Sequence, residues 1–215
     1  MHELAPVTPV NFFQLSADVC CLSEGKDPFP ITSKNRGEFL LPDTAILCEE
    51  ENFAEVSMGW RKSGLAFYFK VDHPIERCYY PEVYRGDSVE VFIDTRDVKT
   101  SGYNTRFCHH FFFLPESMEG VQAGEITHFR TDDRHELCDP ELLKVKANKK
   151  SKGYELMAWV PRECLTGYDP AQFQRIGFTY RVNRNYWASQ HFSVTTDDYR
   201  LEEQPSLWSQ LRMIS

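Results

Sequence analysis

The sequence lacks any long apolar run, and this absence excludes a helical membrane span. No stretch of about 18 consecutive apolar residues, the length that such a span needs, occurs in the 215 residues. The first residues, Met1 to Pro6, have neither the basic region nor the apolar run of a secretion signal. Taken as written, the sequence predicts a cytoplasmic protein, and it predicts a secreted one if the true start lies upstream.

A basic face and a metal-type cysteine spacing are also missing. The net charge is −8 and the acidic residues are spread along the chain, which argues against a nucleic-acid partner. There are seven cysteines, and no CxxC pair occurs among them. An odd count without such a pair predicts reduced, partly buried thiols that fill the core, and not a zinc knuckle.

Sustained helical periodicity is absent, and short alternating runs take its place. The runs 54–60 and 65–71 flank a turn that contains Gly64, and this pattern predicts a β-hairpin. Further strands are predicted at 10–15, 38–41, 88–94, 105–115, 142–150, 153–160, 176–183 and 192–195, with one helical turn at 161–165. Many short strands with Gly and Pro between them predict an all-β fold, an antiparallel β-sandwich of immunoglobulin or jelly-roll type with short helical turns.

The length predicts one domain, since 215 residues suit a single sandwich. Residues 1–50 are irregular and interrupted by prolines, so we expect them to wrap around the sandwich. Residues 51–215 are then the sandwich module itself.

The strand predicted at 88–94 carries the candidate functional carboxylate. Val89, Val91 and Ile93 point to one face because successive side chains alternate along a strand. Glu90 then stands on the opposite face, which we expect to be uncovered. A carboxylate in the middle of a strand suggests function, and the alternative is an ordinary glutamate on a solvated sheet face.

Three motifs that occur in order resemble one known family. The first is the hairpin 54–71 followed by Asp72, and the second is the stretch 86–94. The third is 153–161, continuing to 176–183, and the closing Pro205, Trp208 and Leu211 fit as well. Together they resemble the family 9 carbohydrate-binding modules and the related DOMON-like β-sandwich domains, from about residue 50 to the end of the chain.

The resemblance implies a binding site on one sheet face. In sugar-binding members two aromatic rings clamp the sugar, and polar side chains of the same face bind its hydroxyls. The implied site residues here are Tyr84, Glu90, Arg106, Arg181 and Asn183. The better characterised modules have Trp at the position of Tyr84. His110 takes the place of Arg106 if the shorter loop shifts the register. The second ring falls near 194–196, where this chain has no aromatic residue, so Trp187 or Tyr186 is the candidate replacement.

Two metal-site hypotheses also arise. Asp94 and Asp97 could hold a calcium ion, since related modules carry structural calcium, or they could cap turns. Cys108 and His110 could share a metal, whereas His109 points to the other face and could not join them. Ordinary packing within an aromatic strand is the alternative for this second group.

The predicted function is non-catalytic binding of a saccharide or similar polyol on the sheet face, with no certain cofactor. Tyr84 would stack on the sugar, Glu90 would accept hydroxyl protons, and Arg181 would be among the donors. The alternatives are an interaction or scaffold sandwich that has lost sugar binding, a glycoside-processing enzyme, and a haem-binding DOMON-like domain. A glycosidase would need a second carboxylate beside Glu90, and the spacing indicates none.

Overall fold

The computed structural model describes residues 15–193 and 200–215 and contains two β-sheets. The strands are β1 Ser16–Cys20, β2 Ala54–Arg61, β3 Gly64–Val71, β4 Ser88–Asp94, β5 Cys108–Met118, β6 Val121–Glu125, β7 Lys144–Lys149, β8 Tyr154–Pro161, β9 Arg175–Arg184, β10 Trp187–His191 and β11 Ser209–Ile214. The helices are short, namely α1 Ala45–Cys48 and 3-10 turns at Arg36–Phe39, Val83–Arg85, Pro140–Leu142, Arg162–Cys164, Leu201–Glu203 and Pro205–Leu207.

The larger sheet has β4 near its centre. Within the described residues its order is β1-β11-β9-β4-β5-β6, and β10 pairs with β9 beside β11. The pairings are antiparallel except for that of β1 with β11, which is parallel. Strand β4 therefore has β5 on one side and β9 on the other, so that side chains of three strands meet on each face.

The smaller sheet has the order β2-β3-β8-β7 and is antiparallel. It includes the predicted hairpin 54–71 and the strands predicted at 142–150 and 153–160. The β2–β3 register runs from the pair Ala54–Val71 to the pair Arg61–Gly64. Gly64 has a φ of 150°, and a Cβ there would lie 2.3 Å from the backbone oxygen of Val160. A larger residue at this turn would therefore displace the neighbouring strand β8.

The core lies between the two sheets. As predicted, Val89, Val91 and Ile93 of β4 are fully buried in it. The ring of Phe178 on β9 stacks on that of Phe67 on β3, with the centroids 6.0 Å apart. Each large apolar side chain buried in this way contributes about 1.5–3 kcal/mol to folding. The antiparallel β-sandwich that the sequence predicts is confirmed.

Several predicted boundaries are wrong. Of the strand predicted at 192–195, Phe192 and Ser193 are not in a strand, Ser193 has a positive φ, and 194 and 195 lie outside the described residues. A strand precedes them at Trp187–His191. The predicted edge strand 38–41 is a 3-10 turn followed by a single bridge between Leu40 and Ser57. Of the strand predicted at 10–15, only Leu15 is described, and it is not in a strand; the first described strand is Ser16–Cys20.

The expectation that all the cysteines are reduced is also wrong. Cys138 and Cys164 form a disulfide across 26 residues of sequence. The remaining five cysteines are free, and Cys48, Cys78 and Cys108 among them are buried, as core-filling thiols would be. The pairing was missed because Cys138 and Cys164 come together only when the long connection after β6 folds back over the end of the turn Arg162–Cys164.

Among the described residues, no helix has the length and the apolar character that crossing a membrane would require.

Candidate functional site

The candidate site lies on the outer face of the larger sheet, where β4, β5 and β9 run side by side. Glu90 on β4 pairs directly with Arg181 on β9, and Ser88 pairs with Asn183. Phe92 on β4 pairs with His110 on β5. The imidazole of His110 therefore lies diagonally across from Glu90 on the same face of the sheet. Alternation along the three strands thus brings together Glu90, His110, Arg181 and Asn183.

The carboxylate of Glu90 accepts four hydrogen bonds. Its Oε1 accepts from Nε of Arg181 at 2.9 Å and from Nδ2 of Asn183 at 2.6 Å. Its Oε2 accepts from Nη2 of Arg181 at 2.9 Å and from Nε2 of His110 at 2.7 Å. The two bonds from the guanidinium form the bidentate pairing that suits a carboxylate best.

The electrostatics of the site follow from this pairing. Burial by itself would raise the pKa of Glu90, but the charge of Arg181 and the hydrogen bond from His110 outweigh it and hold the pKa far below its usual range. Burial would likewise lower the pKa of Arg181, and the charge of Glu90 outweighs it and raises that pKa. The two side chains therefore form a stable buried ion pair.

We expected Glu90 on an uncovered face, and this expectation is wrong. The residue is 1% exposed, whereas the side chain of Arg181 is 13% exposed. Further along the same face, Phe92 is covered by Trp208 and Leu201, and the rings of Phe92 and Trp208 lie 5.8 Å apart. The partners of the carboxylate surround it, and the chain after Arg200 covers the neighbouring Phe92.

Asn183 is held as firmly as Glu90. Besides its bond to Glu90, its Nδ2 donates to Oγ of Ser88 at 2.9 Å, and its Oδ1 accepts from Oγ of Ser189 at 2.7 Å. The hydroxyl of Ser88 in turn donates to the carbonyl of Val83 at 2.7 Å. The network thereby connects the sheet to the turn Val83–Arg85.

That turn places Tyr84 at the edge of the site. Val83 is buried against Cys78, Phe112 and Leu114, so it fixes the turn on the sheet. Its neighbour Tyr84 points outward and is 58% exposed. The phenol lies within electrostatic range of Arg181. An exposed ring therefore lies near Arg181, whose side chain is 13% exposed.

The structure does not bring Arg106 or Trp187 to this network. Arg106 precedes β5 and forms an exposed ion pair with Asp133. Trp187 pairs with Arg184, which follows Asn183 by one residue and so points to the opposite face. Its ring is 61% exposed and lies 6.5 Å from that of His73. Of the two candidate cations, His110 is the one that contacts Glu90.

Tyr186 and the expected second clamp position lie elsewhere. Tyr186 is highly exposed, and its proximity to Tyr79 raises the pKa of the Tyr79 phenol. The positions 194–196, where the resemblance implies the second ring, lie outside the described residues.

Asp94 and Asp97 do not fit a calcium site. The oxygens of Asp94 accept from the backbone N–H groups of Arg96 at 2.9 Å and Val98 at 2.6 Å. Asp97 accepts from Gln210 at 2.7 Å, and its other oxygen lies 2.6 Å from the ammonium of Lys99. A lysine charge thus already occupies the place that a cation would take, and the two aspartates stabilise the turn after β4.

A second buried polar cluster was missed by sequence reasoning. It consists of His109, Glu125 and His135, whose ligand atoms all lie within 4.8 Å of one another. As expected from alternation, His109 faces away from His110. The pairing of Phe111 with Glu125 then puts Glu125 diagonally across from His109. No signal in the sequence could have placed His135 there, because it lies in a long connection without strands.

Comparison with solved structures shows which fold this is. A family 9 carbohydrate-binding module from Caldicellulosiruptor kristjanssonii in complex with cellotriose aligns with a TM-score of 0.62, over 93% of each chain, at 14% identity. The chain has the family 9 module fold. The same module in complex with glucose aligns with the same score and identity over 94% of this chain and 96% of that one.

A third structure comes from Bacteroides uniformis and is provisionally described as a carbohydrate-binding protein. It aligns with a TM-score of 0.52 and 10% identity over 93% of this chain and 98% of that one. No protein-family model and no curated protein matches the sequence. At these identities the likeness shows the fold alone.

Proposed function

We propose that the chain is a non-catalytic module that binds a saccharide or similar polyol at Tyr84 and Arg181. We call this surface the Tyr84–Arg181 face, with Glu90, His110 and Asn183 as its support. The observation that carries the proposal is an exposed ring near a guanidinium that Glu90 holds in a fixed orientation. Rings cover the apolar face of a pyranose, and guanidinium N–H groups donate to its hydroxyls.

The role of Glu90 differs from the one that the sequence suggests. A carboxylate offers about four lone-pair positions, and four donors already occupy those of Glu90. Glu90 therefore does not accept from a ligand hydroxyl. It holds Nε and Nη2 of Arg181, so Nη1 is the guanidinium nitrogen left to donate to a ligand, from a fixed position and at little entropic cost.

The expected affinity is low. One ring and one partly exposed guanidinium supply few contacts, so we expect a dissociation constant on the order of 1 mM for a short oligosaccharide. The first ligands to test are glucose and cellotriose, because modules of the same fold are seen in complex with them.

The second candidate function is an interaction module that keeps the fold without binding sugar. The burial of Glu90 favours it, since a fully satisfied ion pair also has a purely structural use. A glycosidase acid at Glu90 has no comparable support, because a general acid needs an accessible carboxyl with a raised pKa, and the pKa of Glu90 is lowered.

Titration calorimetry with glucose, cellotriose and a panel of other oligosaccharides tests the proposal. Tyr84→Ala should weaken binding of the best ligand at least about tenfold, which corresponds to about 1.4 kcal/mol. Tyr103→Ala is the matched control, since Tyr103 is also an exposed tyrosine in a loop. Equal binding by both variants, or no binding of any saccharide by the parent chain, would favour the interaction module.

A further inference from the structure

The buried cluster of His109, Glu125 and His135 lies apart from the Tyr84–Arg181 face. Oε1 of Glu125 lies 2.9 Å from Nδ1 of His109 and 2.8 Å from Nε2 of His135, and Oγ1 of Thr127 donates to it at 2.8 Å. The backbone N–H of Cys138 donates to Oε2 at 2.7 Å. One carboxylate oxygen thus faces two imidazole nitrogens inside the protein.

The tautomer of His135 shows what this arrangement requires. Its Nδ1 lies 2.7 Å from the carbonyl oxygen of Arg106, and because a carbonyl cannot donate, this nitrogen carries the proton. In the neutral ring Nε2 then presents a lone pair toward the carboxylate of Glu125. Two acceptors at 2.8 Å repel each other unless a positive charge lies between them. That charge is either a second ring proton or a metal ion.

We propose that His109, Glu125 and His135 form a binding site for a divalent transition-metal ion of the zinc type. Two imidazoles and one carboxylate are a ligand set that zinc accepts, with metal–nitrogen and metal–oxygen distances of about 2.0–2.2 Å. Ligand atoms at neighbouring corners of a tetrahedral site with these bond lengths lie about 3.3–3.6 Å apart. Oε1 of Glu125 lies 2.9 and 2.8 Å from the two imidazole nitrogens, and all the ligand atoms lie within 4.8 Å of one another, so the site takes an ion after side-chain shifts of about 1 Å.

The surroundings of the cluster fit this assignment. The bond from Nδ1 of His135 to a backbone carbonyl is the outer contact that commonly orients a metal-bound histidine. His135 lies outside the strands, between Leu137 and the turn that holds Asp133, so its ring can adjust more readily than one on β5. The rings of His109 and His135 are already stacked at 4.3 Å.

Three protein ligands leave one coordination position open. Glu125 and Cys138 also line a groove of about 730 Å³ beside the cluster, together with Phe29, Phe112 and Leu137. A water or an anion from this groove can take the open position. The carboxylate of Glu125 neutralises one of the two positive charges of the ion. A bound hydroxide or small anion balances the other.

Metal binding by the full chain, freed of metal by a chelator, tests the proposal with Zn²⁺ and Co²⁺ as probes. We expect one equivalent of Zn²⁺ to bind and to raise the melting temperature as its concentration rises. The Co²⁺ complex should show the visible absorption of a four-coordinate ion without the ultraviolet bands of thiolate ligands. Thiolate bands would assign the ion to free cysteines such as Cys21 and would overturn the proposal.

Three variants locate the ion. His135→Gln and Glu125→Gln should each weaken Zn²⁺ binding by more than the 10–100-fold that loss of a ligand's outer partner typically causes. His128→Gln is the matched control, because His128 is an exposed histidine of the same connection and should leave binding unchanged. The proposal would be overturned if the parent chain failed to bind one equivalent of Zn²⁺, or if His135→Gln and His128→Gln bound it with equal affinity. Neither result depends on whether Glu125→Gln folds.

Discussion

Arg181 donates from Nε and Nη2 to the two oxygens of Glu90, each at 2.9 Å, across the paired strands β4 and β9. The pair is buried, and its remaining partners, His110 and Asn183, come from the two strands that flank β4. Glu90 is therefore the centre of a support for Arg181. This relationship connects the stability of the sheet to the shape of the Tyr84–Arg181 face.

Removing the carboxylate should destabilise the protein strongly. Glu90→Ala leaves the charge of Arg181 without its partner inside the sheet, and loss of one member of a buried pair costs about 3–5 kcal/mol. Urea unfolding followed by circular dichroism measures the change. Glu136→Ala is the control, since Glu136 is exposed, and it should alter the free energy of unfolding by no more than about 0.5 kcal/mol. Similar stabilities of the two variants would contradict the buried pair.

The same carboxylate should make stability depend on pH. Because the pKa of Glu90 is lower in the folded state than its ordinary value of 4.5, its contribution is fully present above that value and is lost as the pH falls below it. From pH 5 to pH 3 the parent should lose up to about 1.4 kcal/mol per pH unit more than Glu90→Gln does. Other carboxylates, including Glu125, titrate in both proteins, so the difference between the two curves isolates Glu90. Parallel curves would show that Glu90 is not the titrating group.

A larger ring at position 84 should improve sugar binding. Tyr84→Trp enlarges the exposed apolar surface beside Arg181 without touching the buried network, and an added aromatic contact is worth about 0.5–1.5 kcal/mol. Calorimetry with cellotriose should therefore show binding several-fold tighter than that of the parent. The same substitution at the control site, Tyr103→Trp, should have no effect. A gain at position 103 alone would move the binding surface away from Tyr84.

The disulfide should stabilise the connection that follows β6. Closing a loop of 26 residues stabilises a fold by about 3–4 kcal/mol in the chain-entropy description. In urea unfolding without reductant, the double variant Cys138→Ser, Cys164→Ser should lose most of this stabilisation. Cys21→Ser, which removes an exposed free thiol, should leave the free energy of unfolding unchanged. Peptide mapping without reduction should recover the linked peptide from the parent, and recovery of only free thiols would refute the pairing.

Local pattern was enough to predict the sandwich and the central strand. In β4, strict alternation separates Val89, Val91 and Ile93 from Glu90, and a one-residue shift would bury the carboxylate in the core. The hairpin of β2 and β3 follows from two alternating runs and the turn at Gly64. These features depend on neighbours in sequence, so a single sequence contains the information needed to predict them.

The environment of Glu90 could not be predicted in the same way. That Arg181 stands opposite Glu90 depends on the register of β4 against β9, two strands that lie far apart in sequence. That the neighbouring Phe92 on the same face is covered depends on Trp208 and Leu201, which come from the end of the chain. The choice of His110 over Arg106 likewise follows from the point at which β5 begins, three residues later than predicted.

The cluster around Glu125 and the disulfide were missed for a related reason. Both depend on the path of the connection after β6, which carries His135 and Cys138 back onto the sandwich. This connection has no periodic pattern, and its position is set by contacts such as that between Cys138 and Glu125. Sequence reasoning from periodicity has no means of placing such a segment.

The most direct test of the Tyr84–Arg181 face is a titration of the ¹⁵N-labelled chain with cellotriose, followed by NMR through the backbone amides and the Nε–H of Arg181. If the face binds saccharide as proposed, the shifts should concentrate at Tyr84, Arg181 and their neighbours, and Tyr84→Ala should abolish them. Shifts confined to another surface, or none at millimolar cellotriose and the other saccharides of the panel, would contradict the account.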